Sequence, residues 1–183
     1  MKRKIHGFTL IELMITIAVA GVLLTLAAPA YQDFIANSKR TAAVNDLLAD
    51  FQIARSSSVS RNSRIVVCSS SNGTSCANND NWDIGWITFD DADADGVKDG
   101  GEVILSSHEP TPQNTTTSIF RAVAYRPNGR VITYTPVGTT LGTSGTITVC
   151  DSRGASMARA VVISNSGRPK TSTTKLDGSA LTC

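Results

Sequence analysis

Hydrophobic and polar positions along the chain fall into three regimes. From Phe8 to Tyr31 the apolar residues run without a polar face, and Glu12 is the single charge. That stretch, about 24 residues, is long enough to cross a bilayer as a helix. Beyond Tyr31 the apolar residues Phe34, Ile35, Val44, Leu47, Leu48, Phe51 and Ala54 recur at helical spacing, with Asn37, Lys39, Arg40, Asp46 and Asp50 between them. Leu47, Leu48, Phe51 and Ala54 make a stripe suited to packing on a sheet. The two regimes join into one predicted helix from Phe8 to about Ser58, roughly 75 Å long at 1.5 Å per residue. Gly21 and Pro29 are expected to bend or loosen it.

After the helix the period shortens to two. Strands are expected at Arg64–Cys68, Ile84–Phe89, Glu102–Leu105, Ile119–Tyr125, Arg130–Tyr134, Thr146–Cys150 and Ala158–Ile163. Glu102–Leu105 should pair with Ile84–Phe89 as a hairpin across an acidic loop. Pro127-Asn128-Gly129 is a turn signal between two of the others. Strands with turns at such short intervals give antiparallel sheet, here two small sheets on one helix, an α+β fold.

The first regime admits three explanations. A cleaved secretory signal has a shorter apolar core and a small-residue cleavage site. Ala28-Pro29-Ala30 fits that poorly, because the helical pattern continues through it. A plain anchor fits the length and the preceding Lys2, Arg3 and Lys4, which favour the cytoplasmic side. It leaves Glu12 unexplained, since an acid inside a membrane segment is costly without a partner.

Gly7-Phe8-Thr9-Leu10-Ile11-Glu12 behind a short basic leader resembles the class III signal of type IV prepilins and type II secretion pseudopilins. The resemblance implies cleavage after Gly7 by a prepilin peptidase, methylation of the new amine on Phe8, and retention of the apolar run. It also implies that Glu12 pairs with the N-terminal amine of a neighbouring subunit during assembly. A buried carboxylate is tolerable when an opposite charge meets it. Further along, Ala54-Arg55-Ser56, Trp82, Gly85-Trp86, Phe89-Asp90, Gly101-Glu102-Val103, Asn128-Gly129-Arg130 and Ser166-Gly167-Arg168 look like the GspH/FimT family of minor pilins and pseudopilins. Cys150-Asp151 and Cys183 look more like its pilin branch. Four segments follow from this: a leader at 1–7, a transmembrane half-helix at 8–31, an amphipathic half-helix at 32–59 and a β domain at 60–183.

Charge and cysteine usage sharpen the picture. The formal net charge is +2, and loss of Lys2, Arg3 and Lys4 leaves 14 of the 17 basic residues against 15 acids, a net of −1. Nine acids lie between Asn78 and Glu109 against Lys98 alone, whereas the chain from Arg121 onward holds eight basic residues against Asp151 and Asp177. Cys68, Cys76, Cys150 and Cys183 suggest disulfides in an exported domain, with three possible pairings. Cys68–Cys76 and Cys150–Cys183 are favoured: one closes a short loop and the other ties down the last residue. Zinc is the rival, but the spacing lacks a C-x-x-C pair and histidine is scarce.

Two constellations could carry chemistry. Asp91-Ala92-Asp93-Ala94-Asp95-Gly96, then five residues and Glu102, matches the EF-hand ligand pattern, which suits Ca2+. The flanking strands do not fit an EF-hand, and the competing reading is a solvated hairpin tip. Gly167-Arg168-Pro169-Lys170, with Arg159, Arg153 and Lys175 nearby in sequence, resembles the G-R-x-R motif through which FimT proteins of transformable bacteria bind DNA. Lys170 keeps the charge of the final Arg but loses its planar fork. Any such binding would rest on phosphate neutralisation and be salt-sensitive. A solvated basic turn is the competing reading. No catalytic set appears: His6 lies in the leader, His108 follows a strand without a plausible partner, and the serines lack a nucleophile-elbow context.

The expected protein is therefore not an enzyme. It is a minor pilin of a type IV pilus, taking part in tip assembly and twitching motility, with double-stranded DNA capture for natural transformation as a further role. The alternative is a GspH-type pseudopilin of type II secretion. Expected partners are other major and minor pilins and the prepilin peptidase. The chain would sit first in the inner membrane with its C-terminal domain periplasmic, then in the extracellular pilus of a Gram-negative bacterium.

Overall fold

Helix α1 runs from Leu10 to Arg61 as a single element and continues through both Gly21 and Pro29. A computed structural model describes residues 7–77, 79–110, 121–125, 131–140, 142 and 144–183. The basic leader, the expected strand start at Ile119-Phe120, the Pro127-Asn128-Gly129 turn, Arg126 and Arg130 lie outside the described residues. The chain divides into two compact units, one ending at Ser38 and the other Lys39–Cys183.

In the first unit most of the described apolar side chains of α1 are exposed. Ile11, Met14, Ile17, Val22 and Leu24 are each more than half exposed, as is Tyr31. An 18-residue window of this helix has a mean hydropathy of 2.4, so it is long and apolar enough to cross a membrane.

Among the described residues of the second unit, the rest of α1 meets eight strands. They are β1 (Arg64–Ser69), β2 (Trp86–Asp91), β3 (Ile104–His108), β4 (Arg121–Tyr125), β5 (Val131–Tyr134), β6 (Gly145–Cys150), β7 (Arg159–Ile163) and β8 (Pro169–Ser172). Every pairing is antiparallel. One sheet has the order β3-β2-β1-β5 and the other β4-β6-β7-β8. The helix stripe is Val44, Leu47, Phe51 and Ala54, all buried, with Leu48 only partly so. It packs with Ile65, Val67, Trp86, Ile132 and Tyr134 of the first sheet and Ile147, Val149, Val161 and Ile163 of the second. Spacing by two puts the intervening residues on the other faces. Val66, Cys68, Ile87 and Phe89 form a second cluster, and Cys150, Ala158, Ala160, Val162 and Leu181 a third.

Three strands differ from expectation. β2 runs from Trp86 to Asp91 instead of Ile84 to Phe89, since Gly85 before it turns the chain with φ +98°. β3 begins at Ile104, not Glu102, because both carboxylate oxygens of Glu102 accept backbone N–H groups of the acidic loop, from Ala92 and Asp99 at 2.9 Å each. β8 was not expected at all. Its Pro169 occupies an edge, where a missing N–H costs no ladder bond, and pairs with Ile163.

Candidate functional site

At the N-terminal end of α1, Thr9 and Glu12 form a reciprocal cap. Glu12 Oε2 accepts from the Thr9 N–H at 2.9 Å and from Thr9 Oγ1 at 2.8 Å, and the Glu12 N–H donates to Thr9 Oγ1 at 3.3 Å. This is a capping box, and the Thr-x-x-Glu spacing was visible in the sequence. It satisfies amides that no preceding turn can reach. The carboxylate also sits where the helix dipole favours negative charge. Both residues are exposed, and Phe8 beside them is 85% exposed. Glu12 thus has a partner on its own chain, and its environment leaves it open to one on another.

The acidic loop between β2 and β3 is folded inward at one end. Asp91, Asp93 and Asp95 offer carboxylate oxygens all within 4.8 Å of one another. Asp91 is buried, and both its oxygens accept the Gly96 N–H at 3.2–3.3 Å. Burial pushes its carboxyl above the usual range, and the charges of Glu102 and Asp95 push the same way. Gly96 has φ +79°, the left-handed turn that the pattern's glycine serves. Counting from Asp91, Asp99 takes the ninth position and Val97 the seventh, where EF-hand loops use a further oxygen and a backbone carbonyl. The sequence reading missed both, although the twelve-residue register shows them.

Among the described residues, the basic side chains of the C-terminal third do not form one patch. Gly167 is buried with φ +72°, and a Cβ there would lie 2.1 Å from the Gly138 carbonyl oxygen. Its glycine is therefore explained by backbone packing. Arg168 is exposed, and Lys170 is exposed on β8 opposite Val162. Lys175 precedes Leu176, whose N–H donates to Thr146 Oγ1, and Thr146 pairs with Val162. Lys170 and the Lys175 segment thus flank one strand row on the same side of the second sheet. Arg159 belongs elsewhere. It begins β7 on the Val161 face, and its charge acts on Arg40 of α1.

The group around Asp151 was not anticipated. Asp151 is buried just past β6. Arg153 folds back on it, donating from its backbone N–H at 3.0 Å and its Nε at 3.1 Å to Oδ1 and from Nη2 to Oδ2. Arg40 of α1 adds an ion pair at 3.4 Å and donates to the Met157 carbonyl. The Arg153 bonds hold the Asp151 carboxyl below its ordinary range. Burial pulls the Arg40 guanidinium down despite the attraction of Asp151. In the sequence Arg40 is one of the polar residues between the apolar positions of α1, and its role is hidden because its partner is 111 residues away.

The cysteines join as Cys68–Cys76 and Cys150–Cys183. His108 lies within β3 and not after it, and its ring stacks on Trp86 with centroids 4.0 Å apart. Trp86 in turn donates from Nε1 to Asp50 Oδ2 at 2.6 Å. His108 therefore has an aromatic partner that the sequence did not indicate.

A family model for the type II transport protein GspH matches residues 43–167, which take in the last third of α1 and every strand from β1 to β7. The chain belongs to the GspH family. A prokaryotic N-terminal methylation motif matches residues 2–28 of this GspH-family chain. Fimbrial protein Q of Moraxella bovis is 58% identical over 43 residues, 24% of this chain and 27% of that protein. A probable minor fimbrial protein of Dichelobacter nodosus is 54% identical over 39 residues, 21% of this chain and 24% of the relative. The match thus spans about a quarter of these curated relatives. Two crystal structures of the Pseudomonas aeruginosa type IV minor pilin FimU superpose with TM-scores of 0.53 and 0.56 at 22% and 23% identity. They cover 72% and 76% of this chain and 91% and 92% of theirs. At that identity the likeness establishes the fold: a type IV pilin fold of the α+β class, one long helix on antiparallel sheets.

Proposed function

We propose that this GspH-family chain is a minor pilin that joins a type IV pilus, with α1 as the assembly element and Glu12 as its register point. The observation that carries this is the prepilin motif running straight into an apolar helix whose described side chains are exposed from Phe8 to Phe34. Such a surface requires lipid before assembly and other helices after it. Its partners in this reading are other pilins and the prepilin peptidase, which cuts after Gly7. In this reading the basic leader Lys2, Arg3 and Lys4 stays cytoplasmic, so the β domain lies on the periplasmic side. The test is incorporation of Glu12→Ala into fibres in a strain that also lacks the wild-type copy. Loss of incorporation, with the variant still cleaved and membrane-bound, supports the reading. Incorporation equal to the parent overturns it.

The match to a type II transport protein favours a second reading, a secretion pseudopilin. Deletion separates the two: loss of pili and twitching for the first, loss of exoprotein secretion for the second.

Two finer roles accompany the pilin reading. One is DNA capture through Arg168, Lys170 and Lys175, supported by their exposure or shared sheet face. If Arg168→Glu with Lys170→Glu leaves DNA retardation at low salt unchanged, that role falls. The other is Ca2+ in the acidic loop, held by Asp91, Asp93, Asp95 and Glu102. It is supported by the twelve-residue register and the buried, crowded Asp91 carboxyl. Calorimetric titration showing no heat at millimolar Ca2+ would remove it.

A further inference from the structure

We infer that β3 is a movable edge: it parts from β2 as a local unit, while the rest of the first sheet stays closed, and in parting it loosens the acidic loop. The observation behind this is a seam of buried oxygens that closure takes from water without pairing. Thr88 Oγ1 and Asp90 Oδ1 on β2, Ser106 Oγ on β3 and Ser63 Oγ just before β1 are each buried with no hydrogen bond among the described residues. Register brings them together. Thr88 lies directly opposite Ser106, and Asp90 opposite Ile65, two residues past Ser63. Alternation puts Thr88 and Asp90 on the helix-facing side of β2 with Trp86. Helix α1 runs along that side from Asp50, which accepts from Trp86 Nε1, to Arg61, which pairs with Asp90 Oδ2 at 3.7 Å. Its buried residues between those points are Phe51, Ala54 and Ser58, and the one hydroxyl among them turns back to the Arg55 carbonyl at 2.8 Å.

A buried hydroxyl without a partner costs the closed state the water it gave up, and here two face each other across one strand gap. β3 has little to set against that cost. It lies at the end of its sheet's strand order, its register with β2 shifts between Thr88 and Phe89, and none of its five residues is fully buried. An irregular edge strand is where a sheet opens first. β1, by contrast, is buried from Ile65 to Ser69. The acidic loop is tied to the same motion. The Val103 carbonyl, next to β3, accepts the Asp90 N–H at 3.0 Å, and Glu102 before it gathers the Ala92 and Asp99 amides. Drawing β3 off β2 pulls Val103 from Asp90 and carries Glu102 with it.

The test uses the full-length chain purified in detergent with EDTA, so it depends on neither the pilin nor the Ca2+ reading. All four cysteines are in disulfides, so Ser106→Cys adds a lone thiol in the seam. Its labelling by iodoacetamide should depend little on urea below the unfolding transition, the mark of local opening. A Val67→Cys thiol on β1 should be labelled far more slowly and with a steep urea dependence. Adding Thr88→Val, which keeps the shape and removes the orphaned hydroxyl, should slow labelling of the Ser106→Cys thiol about tenfold. Adding Glu102→Ala instead should speed it by at least about threefold. Thr88→Ala, with a smaller slowing, serves if Thr88→Val does not fold. Labelling of Ser106→Cys as slow and as urea-dependent as that of Val67→Cys overturns the inference. So does labelling that Thr88→Val leaves unchanged or speeds, the outcome for a hydroxyl with a bound partner. A rate indifferent to Glu102→Ala overturns the link to the loop.

Discussion

Asp91 is held where its charge is unwelcome. Its carboxyl is raised by burial first, with Glu102 and Asp95 adding to it. A raised carboxyl favours the folded state only while protonated. That contribution is complete below the ordinary value of about 3.9 and is lost as pH rises through the folded-state value. Asp91→Asn should therefore raise the melting temperature by about 2–4 °C near neutral pH in EDTA, roughly 1 kcal/mol for a domain of this size. The gain should vanish near pH 4, as a thermal melt series would show. Asp151 has the opposite sign. Arg153 lowers it, so its contribution is present above about pH 3.9 and lost as pH falls through its depressed value. Asp151→Asn removes the negative charge that Arg153 and the buried Arg40 share and should cost about 3 kcal/mol in urea unfolding at pH 7. The gap from wild type should shrink in acid.

Among the elements, the helix and the strand cores were legible, because burial on one face imposes a period that the sequence displays. Leu47, Phe51 and Ala54 were found by that period. Arg40 was not, because its partner sits 111 residues on, beyond six intervening strands, and no local pattern marks it. β3 slipped by two residues because Glu102 serves the loop and not the ladder. β8 was hidden by Pro169, which reads as a breaker anywhere but an edge. The turn before it gives the sharpest test. Gly167→Ala must move a side-chain carbon out of the Gly138 carbonyl and also holds φ at +72°. It should cost about 2–3 kcal/mol by thermal melting. Arg168→Ala, one residue on and exposed, should stay within about 0.5 kcal/mol.

For the molecule as a whole, the second disulfide organises the C-terminal third. It closes a loop with a sequence separation of 33 that contains β7 and β8, and Leu181 packs beside it on the Ala160–Val162 face. Replacing Cys150 and Cys183 with Ser should cost about 3–4 kcal/mol by the loop-entropy estimate, measured as a shift in denaturant midpoint. The candidate sites divided along the same lines as the fold. The methylation motif and the acidic loop are contiguous in sequence and were readable there. The arginine group around Asp151 is assembled from the helix and two places in the second sheet, so only the folded chain shows it.

Strand β1 has neighbours on all sides. Its backbone pairs with β2 along one edge and β5 along the other, and Ile65 to Ser69 are buried whichever face they point to. Amides so enclosed open only when the domain as a whole does. In heavy water the deuteron should therefore reach Ile65 to Cys68 last. The lag at those positions would report the stability of the entire β domain without any denaturant.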